Sequence, residues 1–236
     1  SFRRYCDSYA AFIKQFQDRI DLFANVDAIG SPELTWQIQC YFEEEHGLRP
    51  VPVVHHGASL KWIDKYVEHG YDILGLGGFA RKIGRKEVID WTDKVFVHLS
   101  PKSNGYKPLV RLHGFAITAW EYLTMYPWWS CDSTSWVKYS AYGWICMPRW
   151  IRGKFRYDRP PIVVNMSWRS PFKADRNKHL HNVIGPIKDN VMRWLEHTKI
   201  PLGKVDAKGK ELERGVISSH ESRSAANLHY FVDLQN

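Results

Sequence analysis

Acidic residues follow short apolar runs at two points of this 236-residue chain. The run over residues 128–131 ends in Asp132, and the hydroxyl residue Ser133 comes next. A second apolar run, over residues 20–29, carries Asp27 near its end. A carboxylate at the end of a buried strand can attack a sugar carbon or transfer a proton. The pattern predicts a carboxylate pair suited to glycosidic chemistry, with Asp132 as nucleophile, although an aspartate in this position also commonly caps a turn.

Histidine and glycine residues end three other apolar runs, at His55, His113 and the pair Gly77-Gly78. An imidazole can donate a hydrogen bond or transfer a proton near neutral pH. Adjacent glycines leave backbone N–H groups accessible to a carbonyl or a phosphate. We therefore predict that these residues, together with Ser133, bind substrate. The alternatives are histidines with structural partners and a tight turn at the glycines.

The apolar runs alternate with helical patterns, a rhythm that predicts βα units and a parallel sheet. Neither GxGxxG nor GxxxxGK[ST] occurs in the positions that a nucleotide-binding fold requires. The predicted fold class is therefore α/β, a TIM (β/α)8-type barrel with its site at the carboxyl ends of the strands. Because the chain opens directly into a helical pattern, we expect this barrel to lack its N-terminal strand. Strands are also predicted over residues 95–99, 144–147 and 162–166.

The predicted domains are a βα-barrel catalytic domain over residues 1–170 and a C-terminal helical extension over residues 171–236. Lys and Arg outnumber Asp and Glu by 33 to 25, which gives a net charge of +8. Much of this excess lies after residue 137, interleaved with aromatic residues, a pattern typical of nucleic-acid binding and also of an ordinary basic sheet edge. The predicted nucleic-acid contacts are Arg149, Arg152, Lys154 and Arg169. The basic stretch also contains Lys173 and Arg176.

Four cysteines are widely spaced, without a CxxC pair, so the sequence gives poor support to a zinc site and predicts no metal and no cofactor. No run approaches the roughly 20 apolar residues of a membrane span. Charged residues interrupt the start, where a signal peptide would be apolar. We expect a cytoplasmic protein with no membrane partner.

Five segments of the chain form a recognisable series when they are taken in order. They are Asn25-Val26-Asp27-Ala28-Ile29-Gly30, Pro52-Val53-Val54-His55-His56-Gly57, Ile73-Leu74-Gly75-Leu76-Gly77-Gly78, His113-Gly114-Phe115 and Trp129-Ser130-Cys131-Asp132-Ser133-Thr134-Ser135-Trp136. Together they resemble the tRNA-guanine transglycosylase superfamily, and most closely its short phage and bacterial members associated with 7-deazaguanine modification of DNA (the DpdA type). The resemblance covers about residues 21–148.

This resemblance implies a TIM barrel that exchanges guanine for a 7-deazaguanine base without breaking the strand. Asp132 matches the family's nucleophile, which attacks C1′ of the nucleotide, and Asp27 matches the aspartate that recognises the base. Gly77 and Gly78 match the glycines whose backbone contacts the base. His55 stands where the tRNA enzymes have glutamine. The implied partners are a nucleic acid, DNA rather than tRNA, and a 7-deazaguanine base as co-substrate.

Two departures from the family pattern leave alternatives open. The tRNA enzymes carry a CxCxxC…H zinc site after the nucleophile, whereas only Cys146 follows Asp132 here. The family's DSG-type motif, whose aspartate serves as acid or base, is also missing from this sequence. If a separate N-terminal polypeptide supplies that group, the chain is one part of a split enzyme. The remaining alternatives are a hydrolytic base glycosylase and a non-catalytic nucleic-acid-binding barrel.

Overall fold

The computed structural model describes residues 2–79, 83–171 and 178–235. It divides the chain into two compact units, Ser1–Ser133 and Thr134–Asn236, and each unit is described by itself. The predicted domains, residues 1–170 and 171–236, remain a prediction. Lys173 and Arg176 of the predicted basic stretch lie outside the described residues.

Unit 1 is a mixed α/β structure built around a parallel sheet. The four strands pair in the order β1-β2-β3-β4, so that each strand pairs with the next one along the chain. The strands are β1 (Val53–His55), β2 (Ile73–Gly77), β3 (Arg111–Gly114) and β4 (Ser130–Cys131). The helices are α1 (Phe2–Gln15), α2 (Pro32–His46), α3 (Lys61–Glu68), α4 (Arg85–Leu99) and α5 (Trp120–Met125), with a 3-10 turn at Lys102–Asn104. The predicted α/β class is therefore confirmed for this unit.

The segment before α2 runs alongside the first strand. Ala24 forms a parallel bridge with Val51, through an Asn25 N–H to Val51 O bond of 2.9 Å and a Val51 N–H to Phe23 O bond of 2.8 Å. This bridge places the chain before Asp27 beside the entrance to β1. The strands of the sheet thus lie side by side in the order in which they occur along the chain, starting with this segment.

The two faces of the sheet carry different residues, because side chains alternate along a strand. Val54, Leu74, Leu76 and Leu112 form one face and belong to the buried core that α3 and α4 complete. The register pairs His55 with Gly77, Gly75 with His113, and His113 with Ser130 on the other face. The predicted site residues of these strands therefore share the face turned away from α3 and α4.

The strand predicted over residues 95–99 is wrong, because these residues form the last turns of α4. Val88, Trp91, Val95 and Leu99 are all buried, at spacings of three or four residues. That periodicity belongs to a helix with one apolar face. Residues 95–99 resemble a strand in isolation, because the helical spacing becomes apparent only together with the preceding turns of α4.

Unit 2 contains antiparallel strand pairs and three helices among the described residues. The helices are α6 (Ser135–Ala141), α7 (Pro186–Thr198) and α8 (His220–Leu234). The strands are β5 (Trp144–Met147), β6 (Arg149–Ile151), β7 (Lys154–Arg156), β8 (Ile162–Asn165), β9 (Lys204–Val205) and β10 (Glu211–Glu213). β5 pairs with β8, β6 with β7 and β9 with β10, each antiparallel. The predicted strands over 144–147 and 162–166 are thus present, but they do not continue the parallel sheet.

The core of unit 2 forms where α7 and α8 pack on β5 and β8. Trp194 and Tyr230 from the two helices are almost completely buried, together with Met147 and Val164 from the strands. None of the helices in the described ranges has both the length and the apolar character that a membrane-spanning segment requires.

Candidate active site

Asp132 continues β4 past its last paired residue and is held by backbone groups of the neighbouring strand end. Its N–H donates to Gly114 O at 3.1 Å. Its Oδ1 accepts a hydrogen bond from the Ala116 N–H at 2.9 Å. Ala116 has a φ of 60°, an uncommon conformation for a residue with a side chain, and in this turn its N–H points at the carboxylate. The Asp132 side chain is 59% exposed, and Oδ2 forms no hydrogen bond with any described residue. One oxygen is therefore fixed while the other is open to a substrate.

His113 lies between Ser130 and Asp132. Its Nδ1 is 2.8 Å from Ser130 Oγ, and its Nε2 is 3.8 Å from Asp132 Oδ1. Burial lowers the pKa of His113, and the charge of Asp132 opposes this effect. A neutral imidazole has one donor and one acceptor nitrogen. If the Ser130 hydroxyl donates to Nδ1, the Nε2–H faces the Asp132 carboxylate, so that a proton carrier stands beside the predicted nucleophile.

Asp27 and His55 form a second aspartate–histidine pair. Asp27 Oδ2 and His55 Nε2 are joined by a hydrogen bond. This bond is the main cause that lowers the pKa of Asp27, and partial burial opposes it. The His55 side chain is 10% exposed and that of Asp27 is 33% exposed. His55 therefore holds Asp27 as an ionised, oriented carboxylate whose other oxygen can accept from a ligand.

Gly77 and Gly78 make room for the His55 ring at the end of β2. A Cβ on Gly77 would lie 3.3 Å from His55 Cδ2. Gly78 has a φ of 83°, and a Cβ there would lie 3.1 Å from the backbone nitrogen of His56. The His56 N–H donates to Gly77 O at 2.8 Å. These contacts give the glycines a role in the turn, while their predicted contact with a base remains a prediction.

Phe115 is a component of the site to which the sequence analysis assigned no role. A Cβ on Gly75 would collide with the Phe115 ring, so this ring covers the middle of β2. The ring also packs edge-on against His113, with 4.5 Å between the centroids. A glycine inside an apolar strand often marks a close approach of another group, and Gly75 was the available signal. Gly114 is also closely packed, since a Cβ there would lie 3.0 Å from Cys131 Sγ.

The two aspartate–histidine pairs lie at the same end of the same sheet face. His55 is level with Gly77, two residues beyond the Gly75 that pairs with His113. Two interstrand spacings and two residue rises place the His55 and His113 backbones about 12 Å apart. Ser133 follows Asp132 directly, and its hydroxyl accepts from Thr118 Oγ1 at 3.3 Å. The arrangement offers an open nucleophile at one side and an oriented hydrogen-bond acceptor at the other.

The predicted nucleic-acid contacts lie in unit 2. Arg149, Arg152 and Lys154 are exposed on the β6–β7 hairpin, whose register pairs Trp150 with Phe155. The rings of that pair pack edge-on at 4.9 Å, and Phe155 contacts Trp194 of α7, so the aromatic side of the hairpin faces the core. Arg149 Nε donates to Pro160 O at 2.8 Å, and Arg152 occupies the tip with a φ of 50°.

Arg169, the fourth predicted contact, is also exposed but belongs to a different segment, after β8. The hairpin cations and Arg169 are thus accessible to a polyanion. Their binding to a nucleic acid remains a prediction.

Within residues 2–79, 83–171 and 178–235, no cluster of three or more His, Cys, Asp or Glu side chains is arranged to hold a metal ion. The four cysteines are free thiols. Burial raises the pKa of Cys131 to about 12, which keeps the thiol beside Asp132 protonated at neutral pH. Asp132 is therefore the better nucleophile of the two neighbours.

Comparisons with protein-family models, curated proteins and solved structures found no significant match to this chain. The assignment of chemistry to the site therefore depends on the geometry of Asp132, His113, Asp27 and His55 together with the motifs in the sequence.

Proposed function

We propose that this chain is a base-exchange transglycosylase that replaces guanine in a nucleic acid, DNA in preference to tRNA, by a 7-deazaguanine. The observation that carries the proposal is the position, exposure and hydrogen bonding of the Asp132 carboxylate. Its Oδ1 is fixed by the Ala116 N–H, and the side chain is largely exposed at the carboxyl end of a parallel strand. Functional residues of barrel and open α/β folds lie at this end of the strands.

In the proposed reaction Asp132 Oδ2 attacks C1′ of the target nucleotide, and the bond between C1′ and N9 of guanine breaks. The guanine leaves with the electron pair of that bond and takes up a proton, and a covalent Asp132–sugar ester remains. The incoming 7-deazaguanine then attacks C1′ through N9, loses the N9 proton and releases the carboxylate. His113 is close enough to the reacting centre to carry one of these protons.

Asp27 is the proposed reader of the base. Guanine presents the N1–H and N2–H2 donors on one edge, and an ionised carboxylate accepts from both. The His55 hydrogen bond keeps Asp27 ionised and fixed in orientation. The target base has to leave its stack to reach this carboxylate, and the ring of Phe115 gives an apolar wall beside His113.

The proposed architecture is a TIM-type barrel of which unit 1 forms an arc. Support comes from the winding of the sheet, because each described strand pairs with its successor and the segment at Ala24 precedes β1 in the same order. An open doubly wound sheet reverses its strand order at the binding crevice. The four strands of this sheet show no such reversal within the described residues.

The test is a covalent adduct with a guanine-containing DNA oligonucleotide, detected on a denaturing gel. Asp132→Asn keeps the shape of the side chain and is expected to abolish the adduct. Asp72→Asn is the matched control, because Asp72 lies at the opposite end of β2, paired with Arg111 at 2.6 Å, and its loss is expected to leave the adduct unchanged. An adduct of normal yield in Asp132→Asn refutes the assignment of the nucleophile.

Labelled 7-cyano-7-deazaguanine separates the alternatives. Exchange incorporates the label into the oligonucleotide, whereas a hydrolytic glycosylase releases guanine and incorporates none. Tight binding with neither product identifies a non-catalytic subunit. Activity that appears only after addition of a second polypeptide with a DSG-type motif identifies a split enzyme.

A further inference from the structure

A cleft of about 660 Å³ in unit 2 is lined by cationic and aromatic side chains. The residues that matter are Arg169 and Arg223, with Trp168 and Tyr142 as aromatic lining. His220 adds a titratable group to the wall, and Glu211 is the carboxylate that lines it. Among the described residues the lining thus carries two permanent positive charges against one negative charge, which favours an anionic ligand.

Arg223 is the unusual member of this set, because its guanidinium is buried and forms no ion pair with a carboxylate of the described residues. The residue is 5% exposed. Its Nε donates to Ser140 O at 2.8 Å and its Nη1 to Val216 O at 2.7 Å. Within the described part of the chain it forms no ion pair, and burial lowers its pKa. A buried charge is costly unless an opposite charge accompanies it, so an anion in the cleft would remove this cost.

The acid whose charge reaches Arg223 is already engaged elsewhere. Glu221 lies 3.1 Å from Arg214 and 3.6 Å from His220, and it accepts a hydrogen bond from the Ser219 hydroxyl at 2.7 Å. The Ser219 Oγ also caps α8 by accepting the Ser222 N–H at 3.2 Å. The first turn of α8 therefore already has an acceptor, Ser219 Oγ, for one of its backbone N–H groups. The two arginines, and not the helix end, are the groups that we expect to donate hydrogen bonds to an anion.

We propose that this cleft binds the phosphate group of a nucleotide, with Arg223 and Arg169 as the phosphate ligands. The planar guanidinium of Arg169 matches the geometry of phosphate oxygens and can donate two parallel hydrogen bonds. Arg223 donates from Nε and Nη1 to backbone carbonyls, which leaves its Nη2 for the phosphate. Trp168 and Tyr142 supply aromatic surface of the kind that accepts a nucleobase by stacking. Gly209 packs against the indole edge, since a Cβ there would lie 2.7 Å from Trp168 Nε1, and this contact holds the Trp168 ring in place. The proposal depends only on residues of unit 2 and is independent of the chemistry at Asp132.

The test is calorimetric titration of the full chain with inorganic phosphate, guanosine monophosphate and a short single-stranded DNA. Arg169→Glu is expected to weaken phosphate binding by about tenfold or more, because it removes a charged hydrogen bond and adds a repulsive charge. Lys188→Glu is the matched control, an exposed charge reversal on α7 of the same unit, and is expected to change binding by less than about twofold. Binding of the mononucleotide identifies a free nucleotide as the source of the phosphate. Binding of the DNA with no binding of the mononucleotide identifies a strand phosphate instead.

The buried arginine needs a second variant, because its replacement by alanine could unfold unit 2. Arg223→Lys keeps the positive charge and loses the guanidinium fork, and circular dichroism checks that it folds. A folded Arg223→Lys protein is expected to bind guanosine monophosphate less tightly than the original chain. The proposal is overturned if none of the three ligands binds saturably at millimolar concentration. It is equally overturned if Arg169→Glu and folded Arg223→Lys bind as the original chain does.

Discussion

Replacement of Asp27 by asparagine tests whether the aspartate–histidine pair at the start of the sheet is a structural unit. Asparagine keeps the size of the side chain and an oxygen that can still accept from His55 Nε2. The change therefore removes the charge and leaves the hydrogen bond. The expected result is a lower free energy of unfolding, because a charged acceptor is exchanged for a neutral one in a partly buried site.

The size of this loss follows from the kind of bond and its exposure. Hydrogen bonds to charged groups contribute roughly 1.5–3 kcal/mol and neutral ones about 0.5–1.5 kcal/mol, so the charge accounts for about 1–1.5 kcal/mol. Solvent screens part of it, since a third of the Asp27 side chain is exposed, and a loss of about 1 kcal/mol is expected. The lowered pKa of Asp27 fixes the pH dependence. The stabilisation is complete above the ordinary pKa of about 3.9 and is lost as the pH falls through the folded-state pKa.

The chain contains a matched control in Asp64, which pairs with His98 at 2.5 Å between two helices of the same unit. Both side chains of this control pair are more exposed, at 47% for Asp64 and 36% for His98. Asp64→Asn is therefore expected to cost less than about 0.5 kcal/mol. The assay is urea denaturation at pH 7 and at pH 3, with stability compared through the midpoint at constant m.

A double-mutant cycle with His55→Phe, which keeps a ring of similar size and removes the nitrogen that bonds Asp27, isolates the pair. Once His55 is absent, Asp27→Asn is expected to cost almost nothing, which gives a coupling energy of about 1 kcal/mol. Strict additivity of the two substitutions would refute the reasoning. So would equal losses in Asp27→Asn and Asp64→Asn, because burial would then make no difference.

Three further predictions concern the second pair and its surroundings. Gly75→Ala is expected to cost about 1–3 kcal/mol in urea denaturation by overpacking, and most of this cost should disappear in a Phe115→Ala background. Ala116→Gly is expected to leave the melting temperature unchanged or to raise it, because the φ of 60° costs alanine about 1–2 kcal/mol and glycine nothing; a clear decrease would contradict this. His113 has a lowered pKa, so its contribution to stability is complete above about pH 6.5 and falls as the pH drops below that value. In His113→Gln the loss of stability between pH 7.5 and pH 5 should be smaller than in the original chain.

The ends of the strands were predictable from the sequence, because a buried strand requires a run of apolar residues and polar residues or glycine follow where the strand ends. His55, Gly77 and His113 each end a strand or lie one residue from its end, and Asp132 follows β4 directly. The strand predicted over residues 95–99 failed because a five-residue window cannot distinguish a helix from a strand. The buried spacing from Val88 onward was needed to make that distinction.

Pairing partners were less predictable, because they depend on contacts between distant parts of the chain. The segment over residues 144–147 has the apolar composition of a barrel strand, yet it pairs antiparallel with β8. No local sequence signal shows whether a neighbouring strand runs parallel or antiparallel. The parallel βα pattern was therefore wrongly expected to continue into this segment. The backbone N–H of Ala116 was also missed, since its direction depends on a left-handed turn at a residue that rarely adopts one.

The two aspartate–histidine pairs contain the same residue types, but their surroundings favour different roles for the two aspartates. Asp27 is bound directly by a histidine ring and is the less exposed carboxylate. Asp132 is bound by a backbone N–H and lies 3.8 Å from its histidine, so an attack through Oδ2 breaks no bond to a side chain. The His55 hydrogen bond that lowers the pKa of Asp27 also weakens that carboxylate as a nucleophile, even at the oxygen that the bond leaves free. The geometry therefore favours Asp132 as the attacking group and Asp27 as the acceptor that holds the base, the same order of roles that the motifs predict.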